Sequence, residues 1–81
     1  MVRRVYVEKK PPLRQEAAAL FRELRTVLGI RELTGLRLIN RYDAEGLEEE
    51  VFRQAVRSVF SEPQVDDTAE ALPPGDWAVF A

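Results

Sequence analysis

The chain contains no cysteine and no histidine. Without cysteine there is no disulfide, no thiolate metal site and no cysteine nucleophile. Without histidine the commonest general base, the usual nitrogen ligand for metals and the ordinary serine triad are all gone. Any catalysis would have to rest on Asp, Glu, Lys or Tyr, so the expectation is a module with no catalytic apparatus of its own. Long apolar runs are missing too. No stretch approaches the length needed to span a bilayer. The segment from Met1 to Lys10 has no long apolar core and does not read as a secretory signal. The expected compartment is the reducing cytoplasm, with no membrane partner. The four glycines, Gly29, Gly35, Gly46 and Gly75, stand apart from one another, which excludes a glycine-rich phosphate loop.

What is present suits a single folded domain over residues 1–81. The hydrophobic fraction of 46% and charged fraction of 32% are those of a globular protein. Twelve basic residues against fourteen acidic ones leave a net charge of −2. That balance gives no general pull toward nucleic acid. A chain this short buries a modest share of its surface, so its stability margin is expected to be thin.

Periodicity predicts the elements. Val2 to Lys10 alternates, with Val5 and Val7 on one face and Arg4, Tyr6 and Glu8 on the other, which is the pattern of a half-buried strand. Pro11-Pro12 stops it. From Leu13 to Leu28, apolar residues (Leu13, Ala17, Leu20, Phe21, Leu24, Val27, Leu28) recur in steps of three and four. They predict an amphipathic helix with Pro12 in its first turn and Gly29 as its C-terminal cap. Ile30 to Ala44 reads as two strands or as one strand bent near Asn40, with Leu36, Leu38 and Tyr42 alternating against Arg37, Ile39 and Arg41. Leu47 to Ser61 is a second helix, its first turn crowded by Glu48, Glu49 and Glu50, which complement the helix dipole. Gln64 to Asp76 reads as a polar connector, and Trp77 to Ala81 as a last strand. The fold class expected is α+β: β-α-β(β)-α-β, with both helices on one face of an antiparallel or mixed sheet.

The candidate functional residues form an interface set: Tyr6, Arg37, Arg41, Tyr42, Trp77 and Phe80. Arg37 and Arg41 lie four apart and share a face of the predicted strand, where arginine makes geometrically fixed ion pairs. The bland alternative is a solvated sheet face. Trp77 and Phe80 alternate along the last strand, so one side chain faces inward and the other outward. Tyr6, beside Arg3-Arg4 and Lys9-Lys10, invites a base-stacking reading. A single aromatic is a weak signal for it, and basic residues flanking a strand equally blunt a sheet edge. Glu48-Glu49-Glu50 does not converge on a metal, because successive helical side chains diverge. Asp66-Asp67 shows no sign of the separated environments that acid/base pairs need.

Several segments carry a family resemblance: Gly35-Leu36-Arg37-Leu38-Ile39-Asn40-Arg41-Tyr42-Asp43, then Phe60-Ser61-Glu62-Pro63 and Val65-Asp66, with the opening Val5-Tyr6-Val7-Glu8-Lys9-Lys10. Together they resemble the start of the large-type phosphoribosylformylglycinamidine synthases. The likeness runs over essentially the whole chain, in fold-level segments rather than catalytic signatures. It implies a ferredoxin-like, PurS-like two-layer sandwich. In that family, ATP with Mg and glutamine convert formylglycinamide ribonucleotide into formylglycinamidine ribonucleotide in purine biosynthesis, a C–N ligase reaction. The N-terminal domain resembles the separate small subunit of multi-component versions, as two copies in tandem.

The role this resemblance implies is a non-catalytic docking module that helps hold the glutaminase and synthetase domains together. A homodimer through an exposed sheet edge is also expected. No catalytic, cofactor or metal residue of the family carries over: the ATP-binding core and the glutaminase Cys, His and Glu have no counterpart here. The chain stops at Ala81 inside the last predicted strand, and the expectation is a piece of a longer protein. The reading kept alongside is a free-standing ferredoxin-like regulatory domain that binds a small ligand.

Overall fold

A computed structural model describes residues 1–75 and 77–79. The architecture is α+β. Strand β1 (Val2–Lys9), helix α1 (Gln15–Thr26), strand β2 (Asn40–Glu45), helix α2 (Glu49–Ala55) and strand β3 (Asp66–Ala69) follow in that order. The sheet has three strands in the order β2-β1-β3, and both pairings are antiparallel. β1 is central because it is the strand with a continuous buried stripe. Val5 and Val7 are both buried, and its backbone is paired on both sides.

The core lies on the Val5–Val7 face. Phe52 of α2 packs against both valines, with Tyr42, Ala44, Leu47, Val56 and Phe60 around them. A single wide π turn, Val56–Phe60, continues α2. In a regular helix the residue two steps of four beyond Phe52 drifts off the face; the wider turn returns it. Phe60 accordingly lands over Tyr42, with ring centroids 5.0 Å apart and nearly parallel planes. Ser61 then ends the segment, its buried hydroxyl donating to the Val56 carbonyl.

Helix α1 matches its predicted range closely. A 3-10 turn at Pro11–Leu13 precedes it, and Gly29 beyond it takes φ +70, a conformation that costs glycine little. Its packing is weaker than its apolar stripe predicts. Ala17 is its one buried residue, while Val27 and Leu28 are exposed.

Three sequence expectations need correction. The stretch 30–44 holds one strand, starting only at Asn40. Upstream, Arg31 N–H donates to the Gly29 carbonyl at 2.9 Å and Ile30 N–H to the Leu24 carbonyl at 3.1 Å. These local bonds engage backbone groups that a strand would present to a neighbour. The predicted connector 64–76 contains β3. Its sequence, Asp66-Asp67-Thr68-Ala69, has no apolar alternation, and it pairs through backbone register: Lys9 opposite Asp66 and Val7 opposite Thr68. The salt bridge from Lys9 Nζ to Asp66 Oδ1 at 3.0 Å and the Lys10 N–H bond to the Val65 carbonyl at 2.9 Å hold that register. Finally, Trp77, Ala78 and Val79 are irregular. Phe80 and Ala81, the rest of the predicted last strand, lie outside the described residues.

The molecule is extended for its size. Its radius of gyration is 15.0 Å and its extents are 46 × 25 × 19 Å, where a compact chain of this length has a radius of about 12 Å. Its accessible surface is 6670 Å², against about 5,000 Å² for a compact monomer of equal mass.

Candidate interface on the outer sheet face

Strand alternation turns Arg4, Tyr6 and Glu8 of β1 away from the core. The register with β2 sets Arg41 opposite Tyr6 and Asp43 opposite Arg4. The result is a charged, aromatic outer face with two anionic anchors.

The first anchor is Asp43. Arg4 grips it with both arms, Nε to Oδ1 at 2.7 Å and Nη2 to Oδ2 at 3.2 Å. Arg41 stands 3.6 Å from the same carboxylate. The Arg4 hydrogen bond holds the Asp43 carboxyl below the usual carboxylate range and the Arg4 guanidinium above its ordinary value. The pair is open to water, so its worth lies in geometry more than in stability.

The second anchor is Glu8, which is buried. Arg37 Nε donates to Glu8 Oε2 at 2.8 Å, and Arg37 Nη2 donates to Oε1. Arg14 Nη2 reaches Oε1 at 3.3 Å from the start of α1. The Arg37 guanidinium also lies 5.6 Å from the Trp77 ring centre, a cation–π contact. Glu8 therefore ties three distant segments to the centre of the sheet: the residues before α1, the irregular segment before β2, and Trp77 through Arg37. Hydrogen bonding to Arg37 is the main reason that its carboxyl titrates below the usual range, against an opposing push from burial.

Both anchors are thus ionised at neutral pH and strongly engaged, which makes them poor proton donors and weak bases. A pH dependence follows. A carboxyl whose folded pKa is depressed stabilises the fold above its unfolded pKa and loses that contribution as pH falls through the folded value. Glu8, Asp43 and Asp66 all shift downward. The melting temperature is therefore expected to hold from neutral pH down to about pH 5 and then to drop below about pH 4. Thermal unfolding followed by circular dichroism checks it, and a flat profile down to about pH 3 would count against these ion pairs.

Of the six candidate interface residues, four come together here. Tyr6 and Arg41 pair across β1 and β2, while Arg37 and Trp77 meet beside Glu8. Tyr42 is turned the other way and stacks on Phe60 in the core. Phe80 lies outside the described residues. The sequence reading named neither Glu8 nor Arg14 as site residues. Alternation put Glu8 on the outer face, but a lone acid on a strand reads as solvated. Nothing in the linear order brings Arg14 and Arg37 to it.

Comparison with protein-family models, curated proteins and solved structures found no match to this chain. Among the described residues no helix is long and apolar enough to cross a membrane.

Proposed function

We propose that the chain is a non-catalytic docking module of a phosphoribosylformylglycinamidine synthase, holding glutaminase and synthetase parts together in a cytoplasmic purine-biosynthetic ligase. The observation that carries docking is the surplus surface, about 1,700 Å² beyond that of a compact monomer. Much of it is apolar: Val27 is 73% exposed, Val59 74% and Val79 68%. The surplus is about twice the roughly 800 Å² that one partner contributes to a standard protein–protein interface. The outer edges of β2 and β3 have no neighbouring strand among the described residues, and an open edge is a template for pairing. The assignment to this synthase rests on the segments from Gly35 to Asp43 and from Phe60 to Asp66.

The ferredoxin-like split β-α-β arrangement is part of the same proposal. The order β2-β1-β3 with antiparallel neighbours is compatible with it. The segment between α1 and β2 would supply, or a partner would replace, a further strand along the edge of β2. ATP, Mg and glutamine chemistry would belong to the partner domains.

Gel filtration with separately purified glutaminase and synthetase parts of such a synthase tests the reading. Co-elution of this chain with either part is expected. Separate elution from both, at concentrations near those of the folded proteins in cells, would overturn it.

A further inference from the structure

One concavity involves none of the residues of the outer sheet face. It is a groove of about 490 Å³ at the end of α1, lined by Phe21, Arg22, Arg25, Thr26, Gly29 and Arg31. That volume is within the range of small-molecule sites. Three arginines are among its lining residues. The chain has ten arginines, and five of them, Arg4, Arg14, Arg37, Arg41 and Arg53, are salt-bridged to carboxylates. Three of the other five line this one groove. Glu23 and Glu32, their sequence neighbours, form no salt bridge with any of them among the described residues.

The groove is shaped by local structure. Arg22 and Arg25 are three apart on α1 and so lie side by side. The Arg25 guanidinium rests 5.5 Å from the centre of the Phe21 ring, a cation–π contact. Thr26 donates its hydroxyl to the Arg22 carbonyl at 2.7 Å, engaging one acceptor of the last turn. Gly29, at φ +70, reverses the chain with open space on its Cβ side. The reversal brings Arg31 back to the helix end. The negative end of the helix dipole, about half a charge, opposes an anion here. Three full positive charges exceed it several-fold.

We propose that this groove binds a phosphorylated small molecule carrying a diphosphate or larger anion. Guanidinium forks match phosphate oxygens bidentately, and forks around one concavity suit an anion that offers oxygens in several directions. The Phe21 ring and the methylene stems of the arginines give the wall an apolar part against which the rest of the molecule can lie. The inference stands on the groove itself and does not depend on the docking role.

Inorganic pyrophosphate is the probe, titrated into the isotope-labelled 81-residue chain at constant ionic strength and followed by amide chemical shifts. Saturable shifts confined to about residues 20–33 are expected. Arg25→Gln and Arg31→Gln should each weaken binding roughly tenfold, the loss expected for one charge-assisted contact. Arg57→Gln, an equal loss of charge on the second helical segment, should leave the affinity unchanged. Arg22→Lys, which keeps charge but removes the fork, should lie between these results. The proposal is overturned by non-saturating shifts, by equal weakening in Arg57→Gln, or by a glutamate-rich peptide binding the groove more tightly than pyrophosphate. The last result would make the groove a seat for an acidic protein segment.

Discussion

Replacing Phe52 with alanine is expected to remove a large part of the protein's stability. Phe52 is the buried ring that joins α2 to Val5 and Val7, and every other aromatic of the core is arranged around it. Deleting a buried phenyl group costs about 3–5 kcal/mol, from lost transfer energy and from the cavity left behind. The whole margin of an 81-residue chain is about 4–12 kcal/mol. A core made of so few buried residues has little else to fall back on. Urea denaturation followed by circular dichroism should show the midpoint falling by about a quarter or more, while Phe52→Leu keeps most of it. A loss below about 1 kcal/mol for the alanine variant would mean that the stabilising contacts lie elsewhere.

Glu8→Ala is expected to produce the second-largest loss, by a different route. It strands Arg37 and Arg14 beside a buried position while removing three charge-assisted contacts. Removing one partner of a fully buried ion pair costs about 3–5 kcal/mol. Both arginine side chains retain nearly a third of their exposure, so water recovers part of that cost and about 2 kcal/mol is the expected loss. For a domain this small that corresponds to a melting-temperature fall of roughly 10 °C. The chain has one tryptophan, and Trp77 stacks on the arginine that Glu8 holds. Its emission should shift toward that of a solvated indole in the variant. Arg37→Ala should give a similar melting temperature, and the double variant much less than the sum, because the two residues act as one unit. Additive losses would show that Glu8 and Arg37 contribute independently.

The parts of the fold legible in the sequence are those whose burial imposes a period. Val5 and Val7 mark β1 because one face is covered and the other is not. The apolar steps from Leu13 to Leu28 mark α1, and Gly29 marks its end. The parts that were not legible are held by backbone pairing or by long-range ion pairs. β3 is the clearest case: Asp66-Asp67-Thr68-Ala69 carries no hydrophobic alternation, and its place is fixed by the exposed edge of β1 and by Lys9. The segment before Asn40 shows the reverse, since Leu36 and Leu38 alternate as in a strand while turn bonds around Gly29 engage nearby backbone groups locally.

The same division applies to the candidate interface. Tyr6 and Arg41 were readable as outward-facing because they sit on strands with a defined pleat. Arg37 reaches the same face through Glu8, and Trp77 through Arg37, and those contacts span residues far apart in the chain. Tyr42 shares its strand with Arg41, and the pleat alone sends its ring to the opposite side, onto Phe60.

The docking proposal makes the exposed valines and the open strand edges a surface awaiting a partner, and a second copy of the chain is the partner always present. Sedimentation velocity over a concentration series, from about micromolar to millimolar, tests this most directly. The account predicts a weight-average sedimentation coefficient that rises with concentration toward that of a dimer. A constant coefficient at the value of an elongated monomer across the whole series would contradict it.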